Sequence, residues 1–497
     1  MCSIEDDGDL KPLSNNHEKD IKKTCVKCDK PGVLVTRIHD PFCKDCFQVY
    51  VVHKFRASIG KSKLIREGER VLVAFSGGAN SSALLNLIQD GLSVRAHKKL
   101  RFIPTILHID ESCLLNEELT QVNKQDILEK ISEIMCNSGF SAYISNLENG
   151  LVLEGTCKMT KKAGIEEPST SSTSTSRSSS SLLRPVIKDL QSEISEVQPN
   201  ESSQAVLQAR LQSVIQGFTS ASSKEDFIKS LRNKLMVHIA QLFGITKILT
   251  AESSTRIGIR ILSDVAQGRG SQVSLNGGFS DFRYDEVSFI RPLRDLNSKE
   301  LMMYNFLFNV ETVTIPCITS KEIFGASIER LTEHFVTGLQ ADYQSTVSNI
   351  VRTSEKLGMP DLSDTKCVLC QSPLDTKQGP ASALSAVEFS LKLSQSANEI
   401  INKSKKISDS SPCTSSMQND EETCCDKKSG NCHTRPVNPI TFDDVIDYLC
   451  YGCRLTLRNF SGNQISLPNF LLKETEHFKQ RDKLREEIAD FLLEDTD

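Results

Sequence analysis

The sequence predicts an α/β protein: a parallel, doubly wound sheet flanked by N- and C-terminal cysteine-rich modules. Three observations carry that expectation. Short apolar runs alternate with amphipathic helical stretches from about residue 70 onward. The first run closes on Ser76-Gly77-Gly78, and Cys-x2-Cys pairs stand towards both ends of the chain.

A chain of 497 residues has room for one sizeable core and smaller satellites. A formal net charge of −5 with 25% charged residues describes no general polycation, so any RNA contact must come from local patches. No apolar run approaches the roughly 18–20 residues of a membrane span. The N-terminus, MCSIEDDGDL, is acidic where a secretory signal is basic and then apolar. The expectation is a cytoplasmic protein with no membrane contact.

Residues 1–24 are polar and charged and are expected to be a disordered tail. A module of about 25–50 follows, built on Cys25, Cys28, Cys43 and Cys46 in the pattern C-x2-C-x14-C-x2-C. Four thiolates on two knuckle turns close a tetrahedral shell around structural zinc and leave no position for a substrate. The other reading is four reduced, unmetallated cysteines. In the connector that follows, Lys54, Arg56, Lys61, Lys63, Arg66 and Arg70 face only Glu67 and Glu69. This basic stretch is either a solvated helix face or an electrostatic footing for an RNA backbone.

The α/β domain is expected over 51–345. Val71 to Phe75 is a buried strand, Ser76-Gly77-Gly78 a turn, and the pattern from Ala79 through Leu84, Leu85, Leu87 and Ile88 a helix. Glycines let the backbone turn its N–H groups outward, and the helix adds the positive end of its dipole, so the junction suits a phosphate. The alternative is a βα turn in which glycine only bends the chain. It is not a P-loop, which requires G-x-x-x-x-G-K-[ST]. A second strand, Phe102 to Ile109, ends at Asp110, which sits either as a ligand group beyond the carboxyl end of the strand or as a cap on the next helix. Ser76, Gly77, Gly78, Asn80, Ser81 and Asp110 are the candidate nucleotide-binding residues.

A helix over Asn116–Cys136 and a strand over Ser141–Leu147 continue the alternation. In Ser169–Ser181 twelve of thirteen residues are Ser or Thr, so about 157–181 is expected to be a disordered insertion. The pattern then resumes with a helix over Lys224–Phe243 and a strand over Ile245–Ala251. A helix over Thr255–Ala266, a strand over Glu286–Pro292 and a helix over Ser298–Phe308 complete it. Arg256, Arg260 and Arg269 fall on the expected ligand side, either salt-bridged to Asp264, Asp281 or Asp285 or free for a phosphate. Arg269, between two glycines, ranks first for phosphate. Residues 346–497 are expected to be helical and to carry a second metal module, Cys367, Cys370, Cys450 and Cys453. Its two pairs are separated by 79 residues, with a disordered loop over about 376–437. Cys424, Cys425, Cys432 and His433 lie inside that gap as competing ligands. The last helix is expected over Glu474–Leu493.

Taken in order, CVKCDKPGVLVTRIHDPFCKDCFQVYVVHKFR, VLVAFSGGANSSALL, ESSTRIGIRILSDVAQGRG, IRPLRDLNSKE, CYGCRLTLRN and LREEIADFLLEDTD resemble the cytoplasmic tRNA 2-thiolation protein 2 family. The likeness runs from Cys25 to Asp497 apart from the low-complexity insertions. It implies a fold of the adenine-nucleotide α-hydrolase type, a related catalytic thiolation subunit as heterodimer partner, and tRNA as substrate. It also implies a pathway that places sulfur on the wobble uridine of lysine, glutamine and glutamate tRNAs, with a thiocarboxylated ubiquitin-like protein as sulfur carrier. The S-G-G turn is similar to the S-G-G-x-D-S pyrophosphatase loop of enzymes that adenylate a nucleoside carbonyl. In the thiolase form of that loop a Lys and an Asp follow the glycines; here they are Ala79 and Asn80. Neither supplies the charge that ATP and its magnesium need, so ATP binding is doubtful. Thiolases of this kind also use reactive cysteines or an iron–sulfur cluster. Between residues 70 and 345 the chain has only Cys113, Cys136, Cys157 and Cys317, with no C-x-x-C among them, so a cluster would have to be held by or shared with the partner. The expected role is a non-catalytic, tRNA-binding scaffold. Its rivals are an adenylating sulfurtransferase in its own right and a zinc-based protein-interaction adaptor.

Overall fold

The computed structural model describes residues 24–36, 40–94, 99–115, 121–153, 187–189, 204–315, 325–358, 365–374, 442–458, 460 and 467–488, and positions 390 and 394. The disorder expected in 1–24, 157–181 and 376–437 therefore falls outside the described residues, Thr24, Ser390 and Ser394 apart. Cys157, Cys317, Cys424, Cys425, Cys432 and His433 fall outside them as well.

A short antiparallel hairpin, β1 (Leu34–Thr36) and β2 (Asp40–Phe42), precedes the main sheet. The main sheet has seven strands: β3 (Arg70–Ala74), β4 (Ile103–Asp110), β5 (Ser141–Asn146), β6 (Ile187–Asp189), β7 (Lys247–Leu249), β8 (Ser280–Tyr284) and β9 (Val287–Ile290). Their order is β6-β5-β4-β3-β7-β9-β8. Every neighbouring pair is parallel except β8 and β9. The purely parallel sheet expected from sequence is thus corrected at one edge. There β8 and β9 fold back across Asp285-Glu286, a connection short enough for a hairpin but not for a parallel crossover.

The chain runs outward from β3 through β6, then returns to the other side of β3 with β7. The switch in direction lies between β3 and β7, and in an open α/β sheet ligands bind beyond the carboxyl ends of the strands at that point. The Ser76-Gly77-Gly78 turn leaves β3 there.

Both faces of the sheet are covered, as the fully apolar strand runs require. Val71, Val73, Leu249 and Ile290 point to one side, against the helices Lys44–Ser62, Ala79–Leu92 and Ser298–Phe308. Their neighbours Leu72, Ile248, Val287 and Phe289 point to the other, against Gln204–Gly217 and Ala221–Leu242. The cysteine modules share these cores. Phe42 and Phe47 of the first pack with Val71, while Cys367, Leu369, Cys450 and Leu457 of the second pack in the cluster that holds Leu72 and Leu107. A boundary at residue 50 would cut the helix Lys44–Ser62, which carries the first module onto the sheet. The sequence reading also missed Gln204–Gly217, and the last helix runs from Asn469 to Glu487, starting five residues earlier than expected.

Candidate functional site

The strand–turn–helix at the switch point forms as the sequence predicts. Gly77 takes φ +77°, a left-handed value at which a side chain is strained, and Gly78 is the N-cap of the helix Ala79–Leu92. A Cβ on Gly77 would also lie 3.4 Å from Ile131 Cγ1, so the turn is packed from behind. Its hydroxyls are turned back onto the loop. Ser81 Oγ donates to the Gly78 carbonyl at 2.9 Å, Ser82 Oγ donates to the Gly77 carbonyl at 3.2 Å, and Ser76 Oγ lies 3.2 Å from Ser81 Oγ. The Asn80 amide donates to Ser253 Oγ at 3.4 Å, and Ser253 Oγ in turn lies 2.8 Å from Ser298 Oγ. Where a carboxylate would hold a cation, a neutral amide ties the loop to the segment after β7.

On the β4 side, Asp110 accepts from Ser112 N and Ser112 Oγ, both at 2.9 Å, at the start of the short 3-10 turn Ser112–Leu114. The carboxylate is thus turned onto the chain just after its own strand, and neither hydrogen bond reaches the helix Gln121–Asn137. His108 is buried with Nδ1 2.9 Å from the Phe75 carbonyl, and burial lowers its pKa, so it braces the turn as a neutral ring. Cys113 is buried and burial beside Glu148 pushes its thiol far up, which removes the thiolate a sulfur nucleophile needs. On the β7 side the sequence reading missed a charged knot. Glu252 is held by Arg260 and by Arg291 Nε at 2.5 Å, and Arg291 Nη2 reaches Asp281 at 3.5 Å. Burial opposes its ionisation, but the two guanidiniums outweigh that and hold the carboxyl far below the usual range. Arg260 is accordingly committed to Glu252, and Arg256 to Glu333 at 3.4 Å.

Each cysteine set comes together. Cys25, Cys28, Cys43 and Cys46 place their sulfurs within 4.8 Å of one another, and so do Cys367, Cys370, Cys450 and Cys453 despite the long gap between their pairs. Both quartets can hold a metal ion. Burial opposes ionisation of Cys25, yet the backbone N–H groups of Cys43, Lys27 and Cys28 bring its thiol down to about 6. In the second quartet Cys370 is the thiol pulled down, by hydrogen bonds from the other three and by Arg283. Gln272 Nε2 donates to Cys450 Sγ at 3.3 Å. This quartet is wholly buried and has a donor and two guanidiniums, Arg269 and Arg283, around its sulfurs, whereas Cys28 and Cys46 of the first are half exposed.

The expected phosphate-binding residues separate into two groups. Lys61 and Lys63 are exposed at the end of their helix, but Lys54 bonds the Asp295 carbonyl at 2.7 Å and lies 3.8 Å from Glu300. Lys54 therefore ties two helices together, and Arg56 is half buried on the same helix. The expectation for Arg269 is corrected. Only 7% exposed, its guanidinium pairs with Asp226 at 3.1 Å and donates to Thr456 Oγ1 at 2.9 Å. It cannot reach a phosphate in solvent without unburying both partners.

The sequence profile described as cytoplasmic tRNA 2-thiolation protein 2 matches residues 327–455, the span that contains the second cysteine set. The cytoplasmic tRNA 2-thiolation protein 2 of Xenopus tropicalis is 36% identical over 526 residues, covering 99% of each chain. Protein 2-A of Xenopus laevis is 37% identical over 513 residues, covering 96% of each chain. Among solved structures, the U34-tRNA thiolase NcsA of Methanococcus maripaludis, recorded with its [4Fe-4S] cluster, aligns with a TM-score of 0.46 at 12% identity, over 72% of this chain and 94% of its own. At 36–37% identity to these two relatives over 96% or more of its length, the chain belongs to the cytoplasmic tRNA 2-thiolation protein 2 family.

Proposed function

We propose that this chain is the tRNA-binding, scaffolding subunit of a heteromeric cytoplasmic tRNA thiolase, working beside a related catalytic subunit. The product is the 2-thiolated wobble uridine of lysine, glutamine and glutamate tRNAs, with sulfur delivered by a thiocarboxylated ubiquitin-like carrier. The observation that carries the reading is the state of the turn after β3. In a fold of the adenine-nucleotide α-hydrolase type, that turn keeps its glycines but has Ala79 and Asn80 for the two charges, and Asn80 is spent on Ser253. The remaining hydroxyls bond the turn's own carbonyls. Such a turn accepts an anion weakly and offers magnesium no carboxylate. The buried, protonated Cys113 offers no persulfide in its place.

Both quartets are best read as structural zinc. Thiolates 2.3 Å from a tetrahedral ion stand about 3.8 Å apart, and Cys28–Cys43, Cys28–Cys46 and Cys370–Cys450 are separated by 3.5, 3.6 and 3.6 Å. A cubane cluster, with one thiolate at each iron corner, needs its sulfurs spread wider. Four thiolates around one dication leave two units of net negative charge, and in the second quartet Gln272, Arg269 and Arg283 stand where they offset it.

The test is a thiolation assay on mercury-containing gels, with the purified chain alone and then with its partner. Thiolated tRNA should appear only in the second reaction. Thiolation or ATP–pyrophosphate exchange by this chain alone would overturn the proposal.

A further inference from the structure

The exposed cations of the connector do not lie at the turn after β3 but at the opposite, amino-terminal ends of β3 and β4, where they meet a second basic segment that the sequence reading left unused. Lys63 and Arg66, which follow the helix Lys44–Ser62, face Lys99 and Arg101, which lead into β4. Between them is an open groove of about 350 Å3, with Ile59, Ile65, Leu100 and Phe102 along its floor. Its walls are fixed. Gly68 N donates to the Arg101 carbonyl at 2.6 Å, and Ile103 N donates to the Glu69 carbonyl at 2.8 Å. Arg101 is offset by Glu67 at 2.9 Å, but Lys63, Arg66 and Lys99 are exposed and make no ion pair among the described residues. In a chain of net charge −5 this is a local concentration of uncompensated positive charge.

We propose that this groove seats the sugar–phosphate backbone of tRNA, through Lys63, Arg66 and Lys99. The inference rests on the tRNA-binding role above and adds its location. Three solvated cations on fixed backbone, with no converging array of donors and acceptors, suit sequence-independent phosphate contact rather than base reading. An extended acidic peptide fits less well, because β3 and β4 are interior strands and leave no open edge for a strand to join. From Arg70 to Ser76 the sheet spans about 20 Å at roughly 3.3 Å per residue, so RNA held here is anchored well away from the turn after β3. The groove therefore acts on affinity rather than on the chemical step.

The experiment measures binding of a fluorescent tRNA transcript to the full chain by anisotropy between 50 and 200 mM salt. It compares the unaltered protein with Lys63→Glu/Arg66→Glu/Lys99→Glu, and with a control of equal charge change, Lys299→Glu/Arg352→Glu/Lys356→Glu, at exposed positions elsewhere. The groove variant should lose at least about tenfold in affinity and flatten the salt slope by about two to three units, at roughly 0.9 per duplex phosphate contact. The control should do neither. In a second measurement, tRNA should protect Lys63 and Lys99 of the unaltered protein from amine acylation. Binding by the groove variant within twofold of the unaltered protein, or unprotected lysines, overturns the groove and leaves the tRNA-binding role standing. Failure of the unaltered chain to bind tRNA overturns both.

Discussion

Replacing Arg269 by alanine separates two roles that make opposite demands. In the fold, Arg269 neutralises Asp226 in a pair whose side chains are 8% and 9% exposed, and it stands beside Cys370 and Cys453. Its removal leaves a buried carboxylate without a partner, which costs about 3–5 kcal/mol. At about 2 °C per kcal/mol, the lower end for a domain of a few hundred residues, the melting temperature should fall by about 6–10 °C. The loss should depend on pH with a definite sign. Burial pushes the Asp226 carboxyl upward, and Arg269, with a smaller contribution from Lys229, opposes this. A carboxyl whose folded value is raised destabilises the protein increasingly as pH climbs from its unfolded value, about 3.9, towards the folded one. The Arg269→Ala deficit should therefore be smaller at pH 5 than at pH 8, and adding Asp226→Asn should recover part of it. Scanning fluorimetry across pH, with tRNA binding measured in parallel, checks each point. A melting temperature within 1–2 °C of the unaltered protein, together with a large loss of tRNA affinity, would refute the burial argument and restore Arg269 as a phosphate contact.

Glu252→Gln should cost about 3 kcal/mol at pH 7 by leaving Arg260 and Arg291 short of their shared carboxylate. Because the folded value of Glu252 is depressed, its contribution is present above its unfolded value of about 4.3 and fades as pH falls. Urea midpoints of protein and variant should therefore converge towards pH 3, and a constant gap would count against the ion pairs. Elemental analysis of the chain purified without chelators should give two zinc equivalents, one per quartet, and iron with visible absorbance in their place would contradict the sulfur spacing. Cys450→Ser should lose one equivalent and unfold the face that contains Leu72 and Leu107, whereas Cys28→Ser, at a half-exposed site, should lose one equivalent with a smaller drop in melting temperature.

Much of the sheet was legible because a strand buried on both faces has no polar positions to blur it. Val71–Phe75 and Phe102–Ile109 each stand out as a run, and the structure places β3 and β4 within a residue of them. β8 escaped because four of its five residues, Ser280, Asp281, Arg283 and Tyr284, carry polar groups that only a folded neighbourhood satisfies: Arg283 pairs with Asp281 and reaches Ser372 Oγ. The first quartet was legible from its spacing alone. The second was legible only as two matching pairs, and nothing in their separation says that their sulfurs lie under the main sheet rather than in a satellite.

Arg269 shows why spacing alone misleads about charge. An arginine between glycines reads as a group presented on bare backbone to a phosphate, and that reading requires the glycines to leave space around it. Here Gly270 does have open space beside it, but Gly268 does the reverse. A Cβ on Gly268, at φ +74°, would meet Tyr451 Cε1 at 2.4 Å, and one on Gly452 would meet Arg269 Cγ at 2.4 Å. The glycines let two segments far apart in sequence close on each other, with the guanidinium trapped in the joint between the helix Ala221–Leu242 and the second quartet. Glycine signals close approach in either case, and only the partner, a ligand or another stretch of the same chain, decides whether the charge beside it binds or braces. Lys63, Arg66 and Lys99 make no ion pair among the described residues, since Glu67 in the same groove is taken by Arg101, and that is the condition on which the proposed RNA contact rests.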